Sequence, residues 1–98
     1  MSTLVSEQKV AIQNAKVTAE SLSVDLTDGR TMSVPLAWFP RLVHGTSDER
    51  SHLELIGRGI GIHWPELDED ISLEGILAGR ASGESQESLR KWLAARAR

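Results

Sequence analysis

The sequence predicts one α+β domain, with a small antiparallel sheet of two hairpins (about four to five strands), short packed helices and a C-terminal helix. The chain of 98 residues has the length of one domain. Short runs of alternating apolar and polar residues stand beside glycine turns, and short helical patterns with capping residues lie between them. The predicted segments are a leader (1–14), an α+β domain (15–80), and a linker with an amphipathic helix (81–98).

The leader has two interpretations. Residues 6–14 fit a helix with Ser6 as its N-cap and Glu7 in the first turn, where a carboxylate favours the helix dipole. Only Val10 and Ala11 mark an apolar side, however, so a frayed leader is the alternative.

A first hairpin is predicted around Asp28 and Gly29, after a short strand over residues 15–19. A two-residue loop would put the two apolar rows on opposite faces of the hairpin. A three-residue loop, 27–29, keeps both rows on one face and places Gly29 at the left-handed position of a type I turn with a bulge. The three-residue loop gives the pairs Leu26–Arg30, Val24–Met32 and Leu22–Val34.

Short helices are predicted after this hairpin. Pro35 ends the strand, and residues 36–43 have helical spacing that Pro40 interrupts, so a short irregular helix in two turns is expected. Residues 46–50 fit the start of a second helix, with a hydroxyl cap at Thr46 and acids in the first turn.

A second hairpin is predicted over residues 53–64, with Gly57 and Arg58 as a two-residue turn. Gly59 and Gly61 would then share a face without side chains, which marks close approach of another backbone, a helix or a ligand, or simply a weak strand. The predicted pairs are Leu55–Ile60, Leu53–Ile62 and Ser51–Trp64.

The C-terminal third carries capping signals. Pro65 ends the strand, and residues 71–79 fit a helix with Ser72 as N-cap and Gly79 as its C-terminal stop. Ser85 is expected to cap a last helix that ends near residue 97. The apolar stripe of this helix is Leu89, Trp92 and Leu93.

Composition excludes several classes of protein. There is no cysteine and hence no disulfide framework, no secretory signal pattern at the N-terminus, and no apolar run long enough to span a bilayer, so a cytoplasmic protein is expected. Residues 1–79 carry six basic and twelve acidic residues, a net charge of −6, whereas residues 80–98 carry five basic and two acidic residues, a net charge of +3. The body should repel nucleic acid, and only the basic tail could attract it.

Four motifs stand out along the chain: Asp28-Gly29-Arg30, Val34-Pro35-Leu36-Ala37-Trp38-Phe39-Pro40-Arg41-Leu42, Gly61-Ile62-His63-Trp64-Pro65 and Asp68-Glu69-Asp70-Ile71-Ser72. In this order and spacing they resemble those of the bacterial and phage domain of unknown function 2442 family, over roughly residues 15–80. The resemblance implies a compact α+β fold with a small sheet and no established activity. It also implies that members often look like one half of a small gene pair, in the manner of toxin–antitoxin operons. Some members carry a C-terminal helix-turn-helix, for which the single helix after residue 80 is too short.

His63 precedes a group of carboxylates. With Asp68 and Asp70 it could form a carboxylate–imidazole pair or three ligands of a divalent metal. The alternative, which the sequence favours, is an ordinary strand residue that points away from the Ile62 face, with acids at a helix start. No metal and no cofactor is therefore predicted.

Five acids, Glu66 to Glu74, occur with no basic residue between them. They could form a solvated loop and a helix N-terminus, meet a basic partner, or pair internally with Arg41 and Arg50. Trp38 and Trp64 are expected to be core residues or interface anchors. The predicted partner-binding residues are Trp38, Arg41, His63, Trp64, Glu66, Asp68, Glu69 and Asp70.

No enzyme is predicted, because the chain has no nucleophile elbow, phosphate-binding glycine loop, zincin signature or cysteine. The first hypothesis is a protein-interaction module that binds a partner protein, such as a toxin-like gene neighbour, or a second copy of itself. One alternative is a nucleic-acid-associated regulator that uses the basic tail. Another is a metal-dependent small hydrolase that uses His63, Asp68 and Asp70.

Overall fold

The computed structural model describes residues 10–97, which form six strands and four helices. A 3₁₀ turn, Leu36–Trp38, precedes the first helix. The strands are β1 (Ile12–Val17), β2 (Ser21–Leu26), β3 (Thr31–Pro35), β4 (Glu54–Ile56), β5 (Gly61–Trp64) and β6 (Glu69–Ser72). The helices are α1 (Pro40–His44), α2 (Ser47–Ser51), α3 (Leu73–Ala78) and α4 (Gln86–Arg96).

The predicted α+β class is confirmed, but the strands form two antiparallel sheets rather than one. The first has the order β1-β2-β3 and the second the order β4-β5-β6. Apolar side chains from both sheets, from α1 and from α3 form a single buried cluster, so the two sheets share one core. No helix within residues 10–97 is long and apolar enough to cross a membrane.

The first hairpin has the predicted three-residue loop. Leu22 pairs with Val34 and Val24 with Met32, and the amide of Leu26 donates to the carbonyl oxygen of Arg30 at 2.8 Å. Gly29 has a φ of 95°, the left-handed conformation that the turn with a bulge requires. Face parity therefore gives the correct register here.

The helix caps also match the predictions. Thr46 and Glu49 form a reciprocal capping box at the start of α2. Ser72 and Ser85 accept hydrogen bonds from backbone amides at the starts of α3 and α4, and Gly79 ends α3 in a left-handed conformation. Pro40 begins α1 at the first helical position, where its missing N–H would have no helical partner, and so separates the 3₁₀ turn from α1.

The prediction of a helix over residues 6–14 is wrong for residues 12–14, which belong to β1. The amide of Ala11 donates to the Thr27 hydroxyl, and the amide of Ile12 donates to the Gly59 carbonyl oxygen. Both acceptors lie in loops that join other strands. These long-range bonds outweigh a weak helical pattern. Residues 6–9, including the predicted cap Ser6, lie outside the described residues.

The second hairpin is also shifted from its predicted register. A four-residue loop, Gly57–Ile60, joins strands paired as Glu54–His63, Leu55–Ile62 and Ile56–Gly61. The predicted pairs Leu55–Ile60, Leu53–Ile62 and Ser51–Trp64 are therefore wrong. A shift of two residues leaves every side chain on its predicted face, so face parity cannot separate the two registers.

The hairpin tip, residues 57–60, bonds to two other elements. The amide of Ile12 donates to the carbonyl oxygen of Gly59 at 2.8 Å, and the amide of Leu73 donates to that of Ile60 at 2.8 Å. Gly59 is buried with a φ of 91°, and a Cβ there would lie 2.5 Å from the carbonyl oxygen of Ile12. The predicted close approach of another backbone to the glycine face is thus confirmed at Gly59.

We predict that Gly59→Ala lowers the free energy of unfolding by about 2 kcal/mol more than Gly29→Ala. Both glycines have nearly the same positive φ, but nothing lies within 4 Å of a Cβ at Gly29. The difference between the variants therefore isolates the contact between the two sheets. Urea denaturation measures it, and equal losses in the two variants would contradict this contact.

Candidate functional site

Four of the five predicted acids lie in the β5–β6 hairpin, and the fifth, Glu74, lies in the first turn of α3. The hairpin loop, residues 65–68, is closed by the pair Trp64–Glu69, and Asp68 has a φ of 51°. Glu69 and Asp70 belong to β6 rather than to a solvated loop or a helix start, so the strand was missed in the sequence. We call residues 65–70 the acidic loop.

Buried apolar side chains fix the acidic loop. Trp64 and Leu67 are fully buried, and the Trp64 indole N–H donates to the backbone oxygen of Arg50 at 3.0 Å. Gly45 lies so close to Leu67 that a Cβ would be 2.8 Å from its Cδ1 atom. The core interpretation of Trp64 is therefore confirmed, and the prediction that it contacts a partner is wrong, because the indole leaves no exposed surface.

Arg41 connects the acidic loop to the C-terminal segment. Its guanidinium donates from Nε and Nη2 to both oxygens of Glu84, the shortest at 2.6 Å, and from Nη1 to the backbone oxygen of Asp68 at 3.0 Å. Arg41 and Glu84 expose only 15% and 9% of their side chains. This hydrogen bonding raises the pKa of Arg41 and lowers that of Glu84, so both stay charged.

Stacking extends this connection to α4. The guanidinium groups of Arg41 and Arg96 lie 5.0 and 4.7 Å from the centre of the Trp92 ring. Arg96 also donates to Glu49 at 2.9 Å, and this bond, together with the Thr46 amide, lowers the pKa of Glu49 to about 2. Helix α4 has no buried residue, so these contacts account for much of its attachment.

Two histidines pair with acids of the loop. His52 bonds to Glu66 at 2.6 Å and His63 bonds to Asp70, and each bond raises the pKa of its imidazole. His63, Asp70 and Glu54 form one row across the outer face of the second sheet, opposite the Ile62 face. The predicted carboxylate–imidazole pair and the outward direction of His63 are thus both present in the structure.

Glu69 differs from the other acids of the loop. It pairs with Trp64 across the strands and therefore faces the core, where it is half-buried. Burial raises the pKa of Glu69 to about 7, although the positive charge of Arg41 opposes this. Its neighbours Glu84, Asp70 and Asp68 also raise it.

The remaining predicted residues have structural contacts of their own. Trp38 is half-buried against the core, and Asp68 lies with 87% of its side chain exposed, 3.5 Å from Arg41. Arg50 donates to the backbone oxygens of Leu42 and Val43 rather than to an acid. The predicted internal pairing of these acids with an arginine is therefore confirmed for Arg41 and wrong for Arg50.

The metal interpretation has no geometric support within residues 10–97, where no three His, Cys, Asp or Glu side chains lie in position to share an ion. In the tail, Arg96 is bound to Glu49, and Lys91 lies 3.6 Å from Glu87. Two of the basic residues of the tail, which was predicted to attract nucleic acid, are thus paired with acids of the same chain. The site presents several carboxylates that are paired with basic groups of the same chain.

The family model of the protein of unknown function DUF2442 matches residues 12–82, well over half of the sequence. The chain belongs to the DUF2442 family. The match includes both sheets and the acidic loop, and it ends before α4. The resemblance inferred from the four motifs is therefore confirmed.

Two solved structures have a similar fold. A crystal structure of a protein of unknown function from Rhodospirillum rubrum is 28% identical, with a TM-score of 0.69 over 81% of this chain and 98% of that one. A solution NMR structure of an uncharacterized protein from Chromobacterium violaceum is 19% identical, with a TM-score of 0.63 over 83% of this chain and 74% of that one. No curated protein matches the sequence.

We predict that Arg41→Lys loosens α4. Lysine keeps the charge but loses the two-pronged contact with Glu84 and the planar stack on Trp92, so unfolding free energy should fall by about 1–2 kcal/mol. Amide hydrogen exchange should accelerate most over residues 86–96. Arg30→Lys is the control, because the Arg30–Asp28 pair is exposed and should change stability by about 0.5 kcal/mol or less. Equal effects of the two variants would contradict the role of Arg41.

The raised pKa of Glu69 predicts a pH dependence. The folded chain holds this proton up to about pH 7 and the unfolded chain only to about 4.5, so stability falls as the pH rises between these values. Glu69→Gln should therefore be more stable than the native chain at pH 8, by an amount on the order of 1 kcal/mol because solvent screens a half-exposed group, and nearly equal at pH 4. Thermal unfolding at both pH values, with exposed Glu20→Gln as the control, measures this. A variant no more stable than the native chain at pH 8 would contradict it.

Proposed function

We propose that this domain is a protein-interaction module that binds a basic amphipathic segment of another protein in an apolar groove between the tip of the β4–β5 hairpin and α3. The observation that carries the proposal is the grouping of exposed apolar side chains on one part of the molecule. Large apolar residues exposed in a group, rather than singly, are typical of interaction sites.

Within residues 10–97, four of the five large apolar residues that are exposed belong to the β4–β5 hairpin and α3. The most exposed is Ile60, at 63%, in the hairpin tip. The fifth, Val43, stands apart on α1 with an exposure of 43%. The four are Leu55, Ile56, Ile60 and Leu77.

Two of these residues line a groove of about 630 Å³ between the hairpin tip and α3. Val10 and Leu73 contribute further apolar surface, and Ser72 and Glu74 supply polar groups. An apolar groove with a few polar groups is suited to the apolar face of a helix or an extended segment. The hydrogen bonds from Ile12 and Leu73 to the hairpin tip hold the walls of the groove in place.

Charge indicates which segment would bind. Glu74 is exposed at the groove, whereas the acidic loop lies at the other end of the β5–β6 hairpin. Residues 1–79 have a net charge of −6, and a surface of one sign favours a partner of the other sign. A segment with apolar side chains for the groove and lysine or arginine toward Glu74 fits both features.

A regulatory or antitoxin-like role in a gene pair is the finer part of this proposal. The small size of the chain supports it, and so does the implication of the family resemblance that members often look like one half of such a pair. The partner would then be the product of the neighbouring gene.

Co-expression with the product of the neighbouring gene tests the proposal, with complex mass measured by size exclusion and light scattering. The double variant Ile60→Ser with Leu77→Ser should weaken the complex at least about tenfold, because exposed apolar anchors supply most of the binding free energy. Val43→Ser is the matched control, since Val43 is as exposed as Leu77 but lies on α1 and does not line the groove, and it should bind as the native chain does.

Absence of a complex, or equal weakening by the control, would contradict the proposal. A chain without residues 1–9 completes the test. If that chain binds the partner much more tightly than the full chain, the groove belongs to its own N-terminal segment, and the proposed occupant is wrong.

A further inference from the structure

Strand β4 is an open edge of the second sheet. In the order β4-β5-β6 it pairs with β5 alone, and all three of its residues are exposed. Leu55 and Ile56 expose 38% and 40% of their surface on opposite faces of the strand. An unpaired edge presents free backbone donors and acceptors to another strand.

The other three edge strands carry features that discourage pairing. Strand β1 has an irregular register between Ile12 and Asn14 and carries Lys16, and β3 ends in Pro35. Strand β6 carries two consecutive acids, residues 69 and 70. Bulges, lysine, proline and charge are the usual protections of sheet edges. Strand β4 has no bulge, lysine or proline; its one charged residue, Glu54, stands at its start, and its other two residues are apolar.

We propose that β4 pairs with β4 of a second copy of the chain, antiparallel about a twofold axis. Antiparallel pairing of a strand with itself satisfies the self-complementarity that a twofold interface requires. The two sheets would join as one sheet of six strands, in the order β6-β5-β4 followed by β4-β5-β6 of the second copy. Both apolar side chains of each β4 would then be partly covered.

Charge also favours the antiparallel arrangement. Glu54 stands at one end of β4 and Arg58 just beyond the other, and neither has a hydrogen-bonded or ionic partner within residues 10–97. An antiparallel copy places each acidic end beside the other copy's basic end, twice by symmetry. A parallel copy would place like charges together, which costs stability.

A three-residue strand provides a small interface. Interfaces below about 1,200 Å² are weak and transient, so dissociation in the micromolar range or above is expected. The dimer goes beyond the proposed function, because it uses the edge of β4 and leaves the groove free for the partner. Failure of one therefore leaves the other standing.

Sedimentation velocity of the full chain, from about 5 to 500 µM, tests the dimer. The sedimentation coefficient should rise with protein concentration. Amide hydrogen exchange over residues 54–56 should slow over the same range of concentrations. Leu55→Lys should reduce association at least about tenfold, since a lysine on an edge opposes pairing. Val43→Lys places the same charge on an equally exposed apolar residue elsewhere and should leave association unchanged.

A charge exchange tests the antiparallel geometry. Glu54→Arg and Arg58→Glu should each weaken association, and the double variant should restore most of it, because the acidic and basic ends remain opposite in sign. A chain that stays monomeric throughout, equal effects of Leu55→Lys and Val43→Lys, or a double variant as weak as the single ones would each overturn the proposal. Circular dichroism of every variant checks that the fold is retained.

Discussion

The hairpin tip holds the two sheets and α3 in one arrangement. Its carbonyl oxygens at Gly59 and Ile60 accept hydrogen bonds from Ile12 at the start of β1 and from Leu73 at the start of α3. The first bond requires the backbone of β1 to lie where a side chain at residue 59 would be, so that position needs glycine. Because Val10, Ile60 and Leu73 also line the apolar groove, the same bonds shape the surface to which binding is assigned.

Charged groups organise the opposite end of the domain. Arg41 joins the acidic loop, the segment around Glu84 and α4, so its guanidinium serves a structural purpose as well as reducing the negative charge nearby. His52 and His63 hold Glu66 and Asp70 in fixed positions. Glu66, Asp68 and Asp70 each therefore lie within ion-pair distance of a basic group of the same chain.

Local signals in the sequence predicted local structure well. Helix starts at Thr46, Ser72 and Ser85 were identifiable because a cap depends on residues within one turn, and the loop around Gly29 because face parity excluded its alternative. Long-range features were not accessible in this way. The register of β4 with β5 depends on hydrogen bonds from residues 12 and 73 to the hairpin tip. The ion pair Arg41–Glu84 joins residues 43 positions apart, and Glu84 lies in a polar linker that shows no periodic pattern. Strand β6 likewise depends on which elements come together.

The hairpin tip is part of the cooperative core, so that the groove beside it is already formed before any partner binds. Native-state hydrogen exchange of the Ile12 and Leu73 amides tests this most directly, since both donate to the tip. They should exchange with the same free energy as amides of the central strand β2, which open only on global unfolding. Exchange of either amide at a much lower free energy would mean that the tip opens on its own, and it would contradict a preformed groove.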